Sequence, residues 1–173
     1  MHWVSQTIQS NRGTGILTSC AKVVYSKTVM PKYIVYSDGG SRGNPGEAAI
    51  GVVIEEEGTT LKKEYSEYRG RATNNEAEYK AAIFGLRKLK QLVGGEKLKA
   101  AKVEVRVDSE LLERQINGHY KIMEPELQKL FIELWNLKLD FPDLKFKHVL
   151  RGKNSNADRL VNAALDKELN KLL

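Results

Sequence analysis

An apolar, β-branched run that stops on a carboxylate constrains this chain more than any other feature. Tyr33-Ile-Val-Tyr-Ser-Asp38 reads as a strand of the kind that fills a buried place in a sheet. Gly39-Gly40 and Asn44-Pro45-Gly46 follow, residues that permit tight turns and let another molecule approach the backbone closely. A carboxylate at the end of such a strand is expensive to bury alone, so Asp38 has to face a cleft, a metal or a basic group. Taken by itself the stretch is equally a hairpin turn opened by aspartate. Three acids further along decide between the two.

Ala48 to Glu57 and Thr60 to Tyr68 read as two further strands joined at Glu57-Gly58-Thr59, making an antiparallel meander with the first. Thr73-Asn-Asn-Glu76 is a capping-box pattern opening a helix that runs to about Val93, where Gly94-Gly95 ends it. On that helix Ala82, Gly85, Leu89 and Leu92 share a side with Glu78, whereas Lys80 and Arg87 project the other way. Glu78 therefore points inward, and Glu76 on the outer side is accounted for as a cap. Val103, Val105 and Val107 alternate with charged residues in a half-buried strand that ends on Asp108-Ser109, and a helix follows from Glu110 to Ile116. A helix from about Pro125 sets Leu127, Leu130, Phe131, Leu134 and Leu137 on one core face, with Trp135 beside them as packing rather than as a platform for bases. A last strand, Leu144 to Leu150, leads through Arg151-Gly-Lys-Asn154 into a helix from about Ser155, where Val161, Leu165, Leu169 and Leu172 share the side of Asp158. Taken singly, Asp108 is also a good helix N-cap and Asp158 a carboxylate welcomed by a helix dipole.

Two acids that end strands and two on the inward sides of helices packed on the same sheet are not explained one at a time. Like charges gathered in one place repel unless cations neutralise them. Oxygen ligands without His or Cys among them select a hard ion, Mg²⁺ or Mn²⁺. Two such ions activate a water and stabilise the departing oxygen of a displacement at phosphorus, so none of the three histidines, His2, His119 and His148, is needed as a base.

Composition narrows the setting. The 173 residues suit one domain, and 41% hydrophobic with 29% charged residues is the balance of a soluble globular protein. No apolar run approaches the ~20 residues of a membrane span. The single cysteine, Cys20, excludes an internal disulfide and a cysteine-rich zinc site and suits a reducing compartment, so a cytoplasmic location is expected. A net charge of +6 is compatible with a polyanionic partner. Residues 1–30 contain no Asp or Glu, with Arg12, Lys22 and Lys27 as their basic residues. They read as a poorly ordered N-terminal extension ahead of a second candidate start at Met30. A transit peptide, or a small accessory nucleic-acid-binding element using Trp3 and Arg12, are the alternatives.

The motifs Tyr36-Ser-Asp38-Gly-Gly, Arg42-Gly-Asn44-Pro45-Gly46, Thr73-Asn74-Asn75-Glu-Ala-Glu78, Val107-Asp108-Ser109 and Asn154-Ser-Asn-Ala-Asp158 resemble type 1 ribonuclease H in order and spacing, over about residues 32 to 172. The resemblance implies an α/β, ribonuclease H-like domain over residues 31–173: a five-stranded mixed sheet, antiparallel meander plus parallel strands, flanked by helices. It also implies an endonuclease that hydrolyses the RNA strand of RNA–DNA hybrids using two Mg²⁺ ions, with Mn²⁺ able to substitute. Asp38, Glu78, Asp108 and Asp158 fall on the family's four metal-binding catalytic positions. Asn44, Asn74 and Asn75 match residues that contact the hybrid's minor groove, where the 2′-hydroxyl marks RNA. Arg71 and Thr73 match positions that hold a phosphate of the DNA strand. First-turn capping is the ordinary alternative for Asn74 and Asn75.

Three departures from the family pattern stand out. The loop Leu150-Arg151-Gly152-Lys153 is short and lacks the histidine that many members carry, leaving Arg151 or Lys153 to substitute, and His148 reads as structural. Asn117 to Glu126 offers no basic helical protrusion, and Glu124 stands where relatives often place asparagine. The resulting expectation is a monomeric nuclease with an RNA–DNA hybrid as partner, no membrane association and no small-molecule cofactor. A nuclease for another duplex such as double-stranded RNA, and a hybrid-binding module without catalysis, are the rivals.

Overall fold

The structure, a computed structural model, describes residues 30–171. The N-terminal extension up to residue 29, and Leu172, expected from the sequence on the final helix, lie outside the described residues.

Strands β1 (Lys32–Gly43), β2 (Gly46–Glu56) and β3 (Lys62–Ala72) form the expected meander. Helix α1 (Asn74–Val93) and a short α2 (Gly95–Leu98) precede β4 (Lys102–Val107); α3 (Glu110–Ile116) and α4 (Pro125–Lys138) precede β5 (Asp143–His148). A single 3₁₀ turn, Arg151–Lys153, leads into α5 (Ser155–Leu169). The strand order is β3-β2-β1-β4-β5, with β4 parallel to both β1 and β5. The sheet is therefore mixed and five-stranded, as the resemblance implied.

The first strand does not stop where its sequence suggests. Parallel pairing with β4 ends at Tyr36↔Arg106, but antiparallel pairing with β2 carries β1 on through Asp38↔Gly51 to Gly43↔Gly46. Asp38 thus sits inside a strand, at the point where one neighbour has run out. The glycines after it belong to the ladder.

The two faces of the sheet are unequal. On one, Val35, Val52, Ile54, Val103 and Val105 pack against Tyr79, Ala82, Leu86 and Leu89 of α1, with Leu112, Ile116, Leu127 and Leu134 from α3 and α4 completing one large core. On the other, α5 lies across β1 to β3 over a small cluster of Ala49, Val161 and Leu165, flanked by Tyr68 and Ala164. Of the α4 stripe, Leu127 and Leu134 are buried, while Leu130, Phe131 and Leu137 are half-buried at the edge of the large core. Trp135 packs, but on the surface, stacked on Phe131 at 5.7 Å. No helix among the described residues is long and apolar enough to cross a membrane.

Candidate active site

The parallel register of β1 and β4 sets the first two acids side by side. Tyr36 and Arg106 are partners, and two residues on, where side chains return to the same face, the chains carry Asp38 and Asp108. Two glycines then bring the helices in. A Cβ on Gly39 would lie 2.1 Å from the Ala77 carbonyl carbon, and one on Gly51 would lie 2.3 Å from the Ala157 carbonyl oxygen. Both helices therefore meet the sheet backbone to backbone beside Asp38, and the residue after each contact is an acid, Glu78 on α1 and Asp158 on α5.

Asp38, Glu78 and Asp108 each offer a carboxylate oxygen within 4.8 Å of the other two. Asp38 and Glu78 are 7% and 6% exposed, and Glu78 Oε2 is buried without a hydrogen-bond partner. Burial, then the charges of Asp108 and Asp158, push the Asp38 carboxyl up to about 7, against the opposing pull of Arg151 and the Gly39 amide. Burial, then Asp38 and Asp108, hold the Glu78 carboxyl well above the ordinary carboxylate range. A trio of crowded acids, one with an orphaned buried oxygen, fits a divalent cation with oxygen ligands.

Asp158 stands apart from this trio. Arg151 Nη2 donates to Asp158 Oδ1 at 2.7 Å and Asn162 Nδ2 donates to Oδ2 at 3.1 Å. The reason is the 3₁₀ turn, which sets Arg151 seven residues before the acid on the lip of the cleft. Asp158 lines the same cleft, of about 440 Å³, as the other three acids, together with Arg151, Asn162 and Asn74. Lys153, the other cation expected to replace the loop histidine, lines a different pocket with Tyr36, Glu55 and Asn156. His148 is exposed on the edge strand.

Asn154 is a site residue to which the sequence alone assigns no role. It is 1% exposed, and its Nδ2 donates both to the Ser37 carbonyl and to Asp108 Oδ1, each at 3.0 Å. Its place just before α5 suggests a cap, yet its side chain makes no capping bond to that helix. It instead ties the ends of β1 and β4 to the turn that carries Arg151.

The expected substrate-contacting residues gather at the start of α1. Asn44 Oδ1 accepts from the Asn74 amide at 3.1 Å, and Asn74 Oδ1 accepts from the Ser41 amide at 3.3 Å. Asn74 thus stitches the helix to the β1–β2 hairpin. Since a backbone N–H can only donate, the oxygen of each side-chain amide is committed inward, and the NH₂ of each has no protein partner among the described residues. Thr73 is taken up by the capping box, its hydroxyl donating to Glu76 Oε2 at 2.9 Å and accepting from the Glu76 amide at 3.2 Å. Arg71 is exposed at the end of β3, Asn75 is half-buried in the first turn, and Glu124 is exposed at the N-cap of α4.

A mixed sheet whose parallel strands and flanking helices converge four acids on one cleft defines a nuclease-like member of the reverse transcriptase-like family, and residues 36–164 match that family. A ribonuclease HI of Halobacterium salinarum is 38% identical over 131 residues, 76% of this chain and 63% of its own. A bifunctional protein of Mycobacterium tuberculosis is 39% identical over 136 residues, 78% of this chain and 36% of its own, so the chain spans only about a third of that relative. Among solved structures, LC11-RNase H1 in complex with RNA/DNA hybrid superposes with a TM-score of 0.73 at 50% identity, covering 79% of this chain and 99% of that one. The chain belongs to the type 1 ribonuclease H family.

Proposed function

We propose that this chain is an endoribonuclease that hydrolyses the RNA strand of RNA–DNA hybrids. The observation that carries the proposal is the crowded trio of Asp38, Glu78 and Asp108, two of them buried and with an unpartnered Glu78 oxygen, in a chain 50% identical to a ribonuclease H1 seen on a hybrid. The trio would hold the catalytic ion, with Asp158 at the rim available to a second. Mg²⁺ is the fitting ion because every ligand is a carboxylate oxygen, and Mn²⁺ fits the same set. When bound, such ions neutralise the crowded acids, acidify a water and stabilise the oxygen that leaves phosphorus.

The chain's own residues do the rest. Asn154 fixes Asp108 against the β1 backbone, so one acid of the trio keeps its place whatever its charge. Arg151 and Asn162 hold Asp158 turned into the cleft. The NH₂ groups of Asn44 and Asn74 are placed to donate to acceptors in the minor groove, 2′-hydroxyls among them, and their inward oxygens keep them from rotating. Arg71 supplies an exposed cation beside the N-terminus of α1 for a backbone phosphate. A monomer is the working unit of this proposal, and the lone Cys20 supports the cytoplasm as its place.

Cleavage of an end-labelled hybrid with Mg²⁺, against single-stranded RNA and both homoduplexes, tests the proposal. Products confined to the hybrid's RNA strand, and absent with Asp108→Asn, are expected. Cleavage of double-stranded RNA in preference, or tight hybrid binding without cleavage under Mg²⁺ or Mn²⁺, would overturn it.

A further inference from the structure

We infer that the outer side of α1 and the adjoining part of β3 form a basic track for the phosphates of the nucleic-acid substrate where it leaves the carboxylate cleft, an inference that rests on the substrate class proposed above. After Glu78, α1 carries Lys80, Arg87, Lys88 and Lys90 and not one acid before its end at Val93. The helix dipole favours cations in the last turn, which accounts for Lys90, itself paired with Asp140 at 2.7 Å. It does not account for Lys80, which stands in the second turn near the positive end. The carboxylate four residues before it, Glu76, is turned back to the cap.

Lys80 and Arg87 lie seven residues apart, on one side of the helix and about 10 Å from each other along its axis. With Arg69 of β3 they line a groove of about 450 Å³ between β3, α1 and α4. Its one acid, Glu133, is taken by Arg87 at 2.8 Å. Lys88 stands about 100° round the helix from Arg87, its Nζ 5.2 Å from the Phe84 ring and 5.5 Å from the Tyr65 ring, while Arg69 lies 5.7 Å from the same Phe84 ring. Two cations thus share one aromatic ring. Lys80 and Lys88 make no ion pair among the described residues.

Arg69, paired with Glu67 at 2.5 Å, Arg87 and Lys90 each have an acid, whereas Lys80 and Lys88 are left to take an anion, and the aromatic rings hold Lys88 and Arg69 in place at low entropic cost when one arrives. A regular row of phosphates is the ligand that matches a row of cations. Arg71 is exposed at the end of β3, beyond the irregularity that the ladder with β2 makes at Arg69 and Gly70, and close in sequence to the start of α1, where Asn74 lines the cleft. The groove and the cleft share no lining residue, so Arg71 is the cation that would bridge them.

The test compares Lys80→Gln/Lys88→Gln with the charge-matched Lys97→Gln/Lys167→Gln, both in the Asp108→Asn background so that no turnover intervenes. Binding is titrated across salt concentrations with two hybrids, one shorter than a helical turn and closed by a loop, the other of two turns. For the long hybrid the track variant binds about tenfold more weakly, and its plot of log affinity against log salt is shallower by about 2, near 0.9 for each phosphate no longer neutralised. The control variant matches the parent, all variants bind the short hybrid alike, and Lys80→Arg/Lys88→Arg restores the slope. An unchanged slope in the track variant, or an equal weakening in the control, overturns the track alone. Failure of the parent to bind either hybrid overturns the substrate class and the track with it.

Discussion

Three of the four acids are crowded against one another, two of them buried and Asp108 half-buried, whereas the fourth stands at the rim with a partner of its own. Asp38, Glu78 and Asp108 are crowded, two of them with carboxyls pushed upward, and among the described residues only Asn154 steadies any of the three through its side chain. Asp158 is satisfied by Arg151 and Asn162 before any ion arrives. The difference teaches that one cleft can contain two kinds of ligand. The trio is a charge arrangement that a cation completes; the rim acid is a contact that a cation, a substrate or Arg151 can each take.

The sharpest way to break this contrast is Asp108→Asn, which removes a charge from the trio with little change of volume. Cleavage is expected to fall about a thousandfold or more while the thermal midpoint stays or rises. Appreciable activity in that variant would show that the trio is not the centre. Asp158→Asn should cost less, about tenfold to a hundredfold, with much of the rate recovered at high Mg²⁺, since the trio is intact. Equal deficits in both variants, measured side by side, would dissolve the distinction.

Metal-free stability sharpens it further. The folded chain keeps a proton on Asp38 up to about pH 7, against an ordinary value of 3.8, so the folded state binds protons that the unfolded chain has released. Stability from this source is full below about pH 4 and is lost as pH rises from there through about 7, by at most about 1.4 kcal/mol per pH unit for one proton. Glu78 acts with the same sign. In chelator, thermal midpoints should fall across that window in the parent and fall less in Asp38→Asn, whereas Asp158→Asn should keep a clear slope. Smallest of all is Arg151→Ala. The guanidinium is largely exposed, so its pair with Asp158 is worth under about 1 kcal/mol, and the expected result is a midpoint shift of only about a degree or two with a several-fold change in the Mg²⁺ concentration for half-maximal rate.

Much of this is legible in the sequence, and the exceptions have physical causes. Alternation in Val103 to Val107 and the inward side of α1 are enough to place Asp108 and Glu78, because both depend on the period of one element. The end of β1 is not legible, since Gly39 and Gly40 look like turn formers. Gly39 lies instead in a ladder because α1 needs to touch it, and that demand comes from a neighbour distant in sequence. Periodicity sets Asp158 on the correct side of its helix but leaves it looking unpaired, because the reach of Arg151 depends on a turn that pattern alone does not reveal. Asn154 has a place in a motif and no role that the motif explains. A polar residue before a helix reads as a cap, and only its burial between two strand ends exposes its other use.

The thin packing under α5 has a consequence for heat. That helix buries Ala157, Leu160, Val161 and Leu165 against Ala49 and Gly51 and adds surface pairs such as Arg159 with Glu64, whereas α1 is set in the main core with nine buried residues. Surface pairs add little, so the cheapest partial opening of this domain is the lifting of α5, with the sheet and α1 still folded. Asp158 goes with the helix, and the Asn154 clasp at its start is strained or released. Catalysis should therefore fade on warming before the fold melts, and amide exchange in α5 should quicken while β1 and β4 remain protected.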